Sequence, residues 1–166
     1  MRFDLNKFLS AAKNPHTASF SFDLSGRDWP GYQLPAPVAG IFSVTRTAEG
    51  AEVALQADAA VEAECARCLA PVHETYHIAQ QYTVRPRELE DPDFELPLDE
   101  EGLLDVEELV YQEIILAVPR VLLCSPDCLG LCPICGKRKA AGCTCQPAGE
   151  AAPADARLSI LKQLLS

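Results

Sequence analysis

The sequence predicts an α+β chain: mainly an antiparallel β-sheet or partial barrel, with one long packed helix, short terminal helices and a small cysteine-rich module near the C-terminus. Three observations carry this expectation. Between residues 18 and 84, apolar and polar residues alternate in runs broken by Gly and Pro, the pattern of half-buried strands joined by short returns. Residues 106–118 carry apolar side chains at helical spacing behind a capping residue. Six of the eight cysteines fall between Cys124 and Cys145.

Taken in order, Phe3, Leu5, Phe8 and Leu9 predict a short N-terminal helix. Ala18, Phe20, Phe22 and Leu24 then alternate with polar residues as one strand. Pro30, Gly31, Pro35 and Pro37 interrupt residues 26–37. Residues 41–47, 51–57 and 61–65 read as three further strands, the first two joined by a turn at Glu49-Gly50. Residues 72–84, with Val72, Thr75, Ile78, Tyr82 and Val84, read as one long strand or two short ones. For the long helix, Asp105 is the expected N-cap and Glu108, three residues on, its capping-box partner. Val106, Leu109, Val110, Ile114 and Ala117 form its apolar stripe, and Pro119 ends it. Residues 146–154 read as a Pro/Ala/Gly linker, and 155–165 as an amphipathic helix with Leu158, Leu161 and Leu165 on one side. The expected regions are an α+β core over 1–123, a cysteine-rich segment over 124–145, and the linker and last helix over 146–166.

The cysteines come in short-spaced pairs, and four thiolates make one tetrahedral zinc site. Eight therefore suffice for two. Cys132-Pro-Ile-Cys135-Gly136 has the form of a zinc knuckle, whose closing Gly permits a tight turn. Cys143 and Cys145 lie near enough in sequence to complete it, although a one-residue spacing is tighter than usual. Cys65 and Cys68 would then join Cys124 and Cys128, tying a strand turn to the exit of the helix. An iron–sulfur cluster is the main rival ligand for the terminal four. Free thiols or a thioredoxin-like redox pair are the alternatives for Cys65 and Cys68, the latter lacking its strand-helix-strand surroundings. Disulfides are disfavoured because residues 1–14, interrupted by Asp4, Asn6 and Lys7, lack the apolar run of about 7 to 15 residues of an export signal. The expected location is cytoplasmic, with no membrane span.

A formal charge of −10 argues against a surface that grips nucleic acid everywhere, since such affinity rests on Lys and Arg neutralising phosphates. Twelve of the 24 acidic residues lie between 88 and 119, where there is no Lys or Arg. This stretch is either a solvated loop or a docking face for a basic protein. His16, His73 and His77 offer no evident partner for general-base chemistry, and an all-cysteine metal site has no open coordination position for catalysis.

Cys65-Ala-Arg-Cys68-Leu69, Glu113-Ile-Ile-Leu-Ala-Val-Pro119, Gly130-Leu-Cys-Pro-Ile-Cys-Gly136 and Arg157-Leu158 together resemble the YceD family, the large ribosomal RNA subunit accumulation proteins. The likeness runs from about residue 51 onward. It implies a non-enzymatic bacterial ribosome-biogenesis factor that supports accumulation or processing of large-subunit (23S) rRNA. The implied partners are a basic large-subunit ribosomal protein, a precursor rRNA, or both, with no small-molecule substrate. Some relatives lack the terminal knuckle yet keep metal-capable residues at the positions of Cys124 and Cys128, which favours the split into two sites and implies that the knuckle is an accessory. Where similar members often carry Asn-Leu-Asn after the knuckle, this chain has Lys137-Arg138-Lys139, a local basic cluster and the candidate RNA contact. The alternative function is a zinc-handling or zinc-responsive interaction module.

Overall fold

A computed structural model describes residues 1–11, 14–91 and 94–145; the expected linker and terminal helix at 146–165 lie outside the described residues. The chain opens with a short strand, β1 (Arg2–Phe3), and a helix, α1 (Leu5–Ala11), that buries Leu5, Phe8 and Leu9. Asp4 starts this helix: its carboxylate accepts from the Lys7 N–H at 2.8 Å. Next come β2 (His16–Phe22), β3 (Tyr32–Gln33), β4 (Val38–Arg46), β5 (Ala51–Glu64) and β6 (Pro71–Val84). β7 (Leu104–Asp105) pairs back to β1 and leads directly into α2 (Val106–Ala117).

All pairing in the main sheet is antiparallel, in the order β2-β4-β5 with β6 on the other edge of β5. β5 is the spine. β4 pairs with it from Ala51 to Asp58, β3 takes the same edge at Glu62 and Ala63, and β6 runs along all 14 residues. The curled sheet presents Val53, Leu55, Ala57, Ala59 and Val61 inward, and α2 closes over them with Val106, Leu109, Val110 and Ile114. At Gly40 the flanking strands β2 and β5 leave no room for a side chain: a Cβ would lie 2.1 Å from the Gln56 carbonyl oxygen and 2.5 Å from the Phe20 ring.

Two expectations about elements change. Residues 51–57 and 61–65 are not separate strands but one, because Asp58 and Ala60 keep the alternation and face outward. Asp58 meets His77 across the strands at 2.6 Å. Likewise the helix expected to be long has 12 residues, an ordinary length of about three turns. Its cap is half of what was expected. The Asp105 side chain accepts from the N–H groups of Glu107 and Glu108. The return bond from Glu108 is not made, since the Asp105 N–H goes to the Pro97 carbonyl at 2.9 Å and the Glu108 carboxylate takes Arg27 at 2.9 Å.

Candidate metal centres

The first centre forms where β5 turns into β6. The turn is held by Cys65 N–H to the Ala70 carbonyl (2.8 Å) and Leu69 N–H to the Cys65 carbonyl (2.9 Å), with Leu69 in the left-handed region at φ 56°. This geometry points the buried Cys65 and Cys68 the same way. The loop after α2 brings up Cys124 and Cys128, anchored by the Ala66 N–H to the Leu122 carbonyl at 2.9 Å. The Cys65–Cys128 sulfurs are 3.7 Å apart and those of Cys68 and Cys124 3.5 Å.

The second centre is built within one short ribbon. Cys132 and Cys135 flank a turn closed by Gly136 N–H to the Cys132 carbonyl (2.9 Å), and Cys132 N–H reaches the Lys137 carbonyl (2.7 Å). A 3₁₀ turn at Lys139–Ala141 ends in left-handed Gly142 (φ 81°), which returns the chain to Cys143 and Cys145. The sulfurs of Cys135 and Cys143 stand 3.5 Å apart. The one-residue spacing that looked awkward in sequence is thus accommodated by the Gly142 turn.

Both quartets suit a single metal ion. In each, all four sulfurs lie within 4.8 Å of one another. Metal–sulfur bonds of about 2.3 Å in a tetrahedron put sulfurs about 3.8 Å apart, close to the distances found. A multi-iron cluster, whose cysteines bind separate irons, needs them spread farther. Electrostatics agree, because backbone N–H groups, that of Cys124 foremost, hold the Cys65 thiol down to about 6. The N–H groups of Cys135 and Ile134 hold Cys132 down to about 6. Donating its S–H to neighbouring sulfurs, Cys68 first, pushes Cys124 up to about 12, and donating to Cys135 first does the same for Cys145, also to about 12. Without a cation, the Cys65 thiolate is favoured at the expense of Cys124, and the Cys132 thiolate at the expense of Cys145. A divalent ion removes that conflict.

The family model for the large ribosomal RNA subunit accumulation protein YceD matches residues 53–165. The chain belongs to the YceD family. That match takes in every cysteine of both quartets and leaves β1 to β4 outside it. Among curated proteins, this chain is 34% identical over 99 residues to uncharacterized proteins of Mycobacterium bovis and of two strains of Mycobacterium tuberculosis, covering 56% of this chain and 47% of each relative. It therefore spans about half the length of the curated relatives it matches. No solved structure matches it.

The other expected site residues fall as follows. Lys137, Arg138 and Lys139 are all exposed beside the second quartet, but the Arg138 guanidinium is engaged with the carbonyls of Cys68 (3.1 Å) and Leu69 (3.0 Å). The acidic stretch is not one free docking face, because many of its carboxylates serve the fold. Asp99 accepts from the N–H groups of Glu101 and Leu103 and pairs with Arg2 at 3.2 Å. Asp105 caps α2, Glu107 and Glu108 hold Arg27, and Glu88 holds Arg85. Glu113 is buried and accepts from the Tyr82 hydroxyl. Its position, seven residues after Val106, is on the apolar stripe, so spacing alone could have singled it out. His73 and His77 sit exposed on β6 beside Glu62 and Asp58, and the His16 ring packs on Phe3. Among the described residues no helix is long and apolar enough to cross a membrane.

Proposed function

We propose that the protein is a non-enzymatic cytoplasmic factor that supports accumulation of bacterial large-subunit (23S) rRNA by holding a basic large-subunit ribosomal protein. Two zinc ions act as fixed crosslinks, one in Cys65/Cys68/Cys124/Cys128 and one in Cys132/Cys135/Cys143/Cys145. The family match over residues 53–165 carries the reading. Zinc supplies no reaction here: a four-thiolate site is coordinatively closed, and its work is to fix loops that lack a core. A net charge of −10, made more negative by about two for each four-thiolate zinc site, supports a basic protein partner.

A second reading is favoured by one observation: Lys137 and Lys139 flank Arg138 on the exposed side of the second centre. In it, Lys137, Arg138 and Lys139 meet precursor rRNA, with Arg138 contributing charge while its donors stay on the carbonyls. A zinc-responsive interaction module is the alternative from another class, supported by the exposure of Cys135 and Cys145.

Affinity isolation of the tagged full chain, after crosslinking in cells, tests these readings together. A basic large-subunit ribosomal protein should be recovered, and loss of the gene should lower 23S rRNA. Recovery of precursor rRNA with a salt dependence that Lys137→Ala/Lys139→Ala reduces by about one unit of slope per charge favours the second reading. Zinc bound tightly with neither partner, and unchanged 23S rRNA, overturns both. Elemental analysis should find two zinc ions per chain, and an iron chromophore would exclude zinc.

A further inference from the structure

The two quartets are not separate modules; they share a seam. On one side is the Cys65–Cys68 turn, followed by Leu69 in the left-handed region at φ 56°. The Arg138 guanidinium takes two carbonyls there, Nε donating to Cys68 at 3.1 Å and Nη2 to Leu69 at 3.0 Å. The Arg67 carbonyl, between the first two ligands, accepts the Leu131 N–H at 3.1 Å, one residue before Cys132. Gly130 makes this approach possible: a Cβ there would stand 3.1 Å from that same carbonyl oxygen, and its φ is 72°. The Arg67 side chain in turn donates to the Cys128 carbonyl at 3.1 Å. Lys139 N–H to the Gly130 carbonyl (3.0 Å) and the Leu131–Arg138 bridge lock the ribbon that carries Arg138.

We propose that Arg138 is a latch that couples the two cysteine centres, so that metal in one raises the affinity of the other. The inference rests on the reading that both quartets hold a divalent metal. Its physical basis is shared ordering. The turn that sets Cys65 and Cys68 is the surface on which the second ribbon docks, and the ribbon supplies donors to three of that turn's carbonyls, two of them from Arg138. Metal at either centre fixes one half of the seam, so the second ion meets a partner surface already in place. By linkage the benefit is reciprocal. Arg138 is thus a positioning residue. Its planar fork matches two carbonyls where a lysine offers a single flexible ammonium.

The test is zinc binding to the full chain against a competing chelator, with bound metals counted by native mass spectrometry. Cys132→Ser/Cys135→Ser isolates the first centre, and Cys65→Ser/Cys68→Ser the second. For independent sites, the product of the two wild-type constants equals the product of the single-site constants. Under the latch it exceeds that product by about 5- to 150-fold, the usual span of site coupling. Arg138→Ala and Arg138→Lys should both return the ratio to about one, each with its own single-site references. A wild-type ratio near one, or one that Arg138→Ala leaves unchanged, overturns the latch while two bound zinc ions would leave the metal reading intact. A chain that never takes a second ion fails both. Should Arg138→Ala not fold, Gly130→Val, which crowds the same seam from the other side, must lower the ratio instead.

Discussion

Tyr82 donates its hydroxyl to Glu113, a carboxylate whose residue is only 6% exposed, whereas the buried Tyr32 hydroxyl has no hydrogen-bond partner among the described residues. These two phenols should answer oppositely to the same change. Tyr82→Phe leaves a buried carboxylate short of a donor and should cost about 1–3 kcal/mol. Tyr32→Phe removes an unsatisfied group and should leave stability unchanged or raise it by about 1 kcal/mol; denaturant melts of the two variants compare them directly. Alkali should expose the same chemistry. Burial raises Tyr32 to about 12, burial and then the bond to Glu74 raise Tyr76 to about 12, and burial followed by Glu113 raises Tyr82 as well. Unfolded tyrosines ionise near pH 10, so between about 10 and 12 the unfolded chain holds fewer protons than the folded one. Stability is therefore complete below pH 10 and falls above it. Thermal midpoints that stay level to pH 12 would contradict this, and Tyr82→Phe should make the decline shallower.

Helix α2 shows how an element can be half legible. Asp105 as its cap follows from local sequence, and Asp105→Ala should cost about 1 kcal/mol, which Asp105→Asn should largely avoid. Glu108, expected to close a capping box, instead pairs with Arg27, 81 residues away in sequence. Both side chains of that pair are about one-third exposed, so Glu108→Ala should cost less than Asp105→Ala, under about 1 kcal/mol by chemical denaturation. Arg27 also lies 4.8 Å from the centroid of the Tyr111 ring, and the Tyr111 hydroxyl reaches the Asp28 carbonyl at 3.0 Å, so the loop before β3 is clamped onto the helix. Nothing local to residues 105–108 encodes that loop. Strand β5 misled for a related reason. A charged Asp58 resembles an end of a strand, yet on a one-sided sheet an outward carboxylate is compatible with continued pairing, here with His77 opposite.

Across the whole molecule, stability is divided unevenly. Phe42, Val44, Leu55, Leu104 and Leu109 belong to a buried apolar core, while Cys132 is the single buried residue in the segment from Cys124 to Cys145. A segment with so little apolar burial would depend on metal crosslinks such as the proposed function gives it. Stripping metal under reducing conditions should therefore abolish amide protection over residues 124–145 and leave the β4–β5–β6 ladder protected, a difference that hydrogen exchange resolves. Collapse of both together would contradict the division. Sequence alone determined what is written in short intervals: the strand alternation, the cap and stripe of α2, and the paired cysteines whose spacing suits one metal per four sulfurs. Tertiary structure alone decided that the two quartets share a seam, that Arg138 serves it, and that much of the acidic stretch is engaged in holding the fold. Periodicity and capping act over a few residues, whereas these contacts join positions as distant in sequence as Arg2 and Asp99 or Cys68 and Arg138, and only the packed chain brings them within reach.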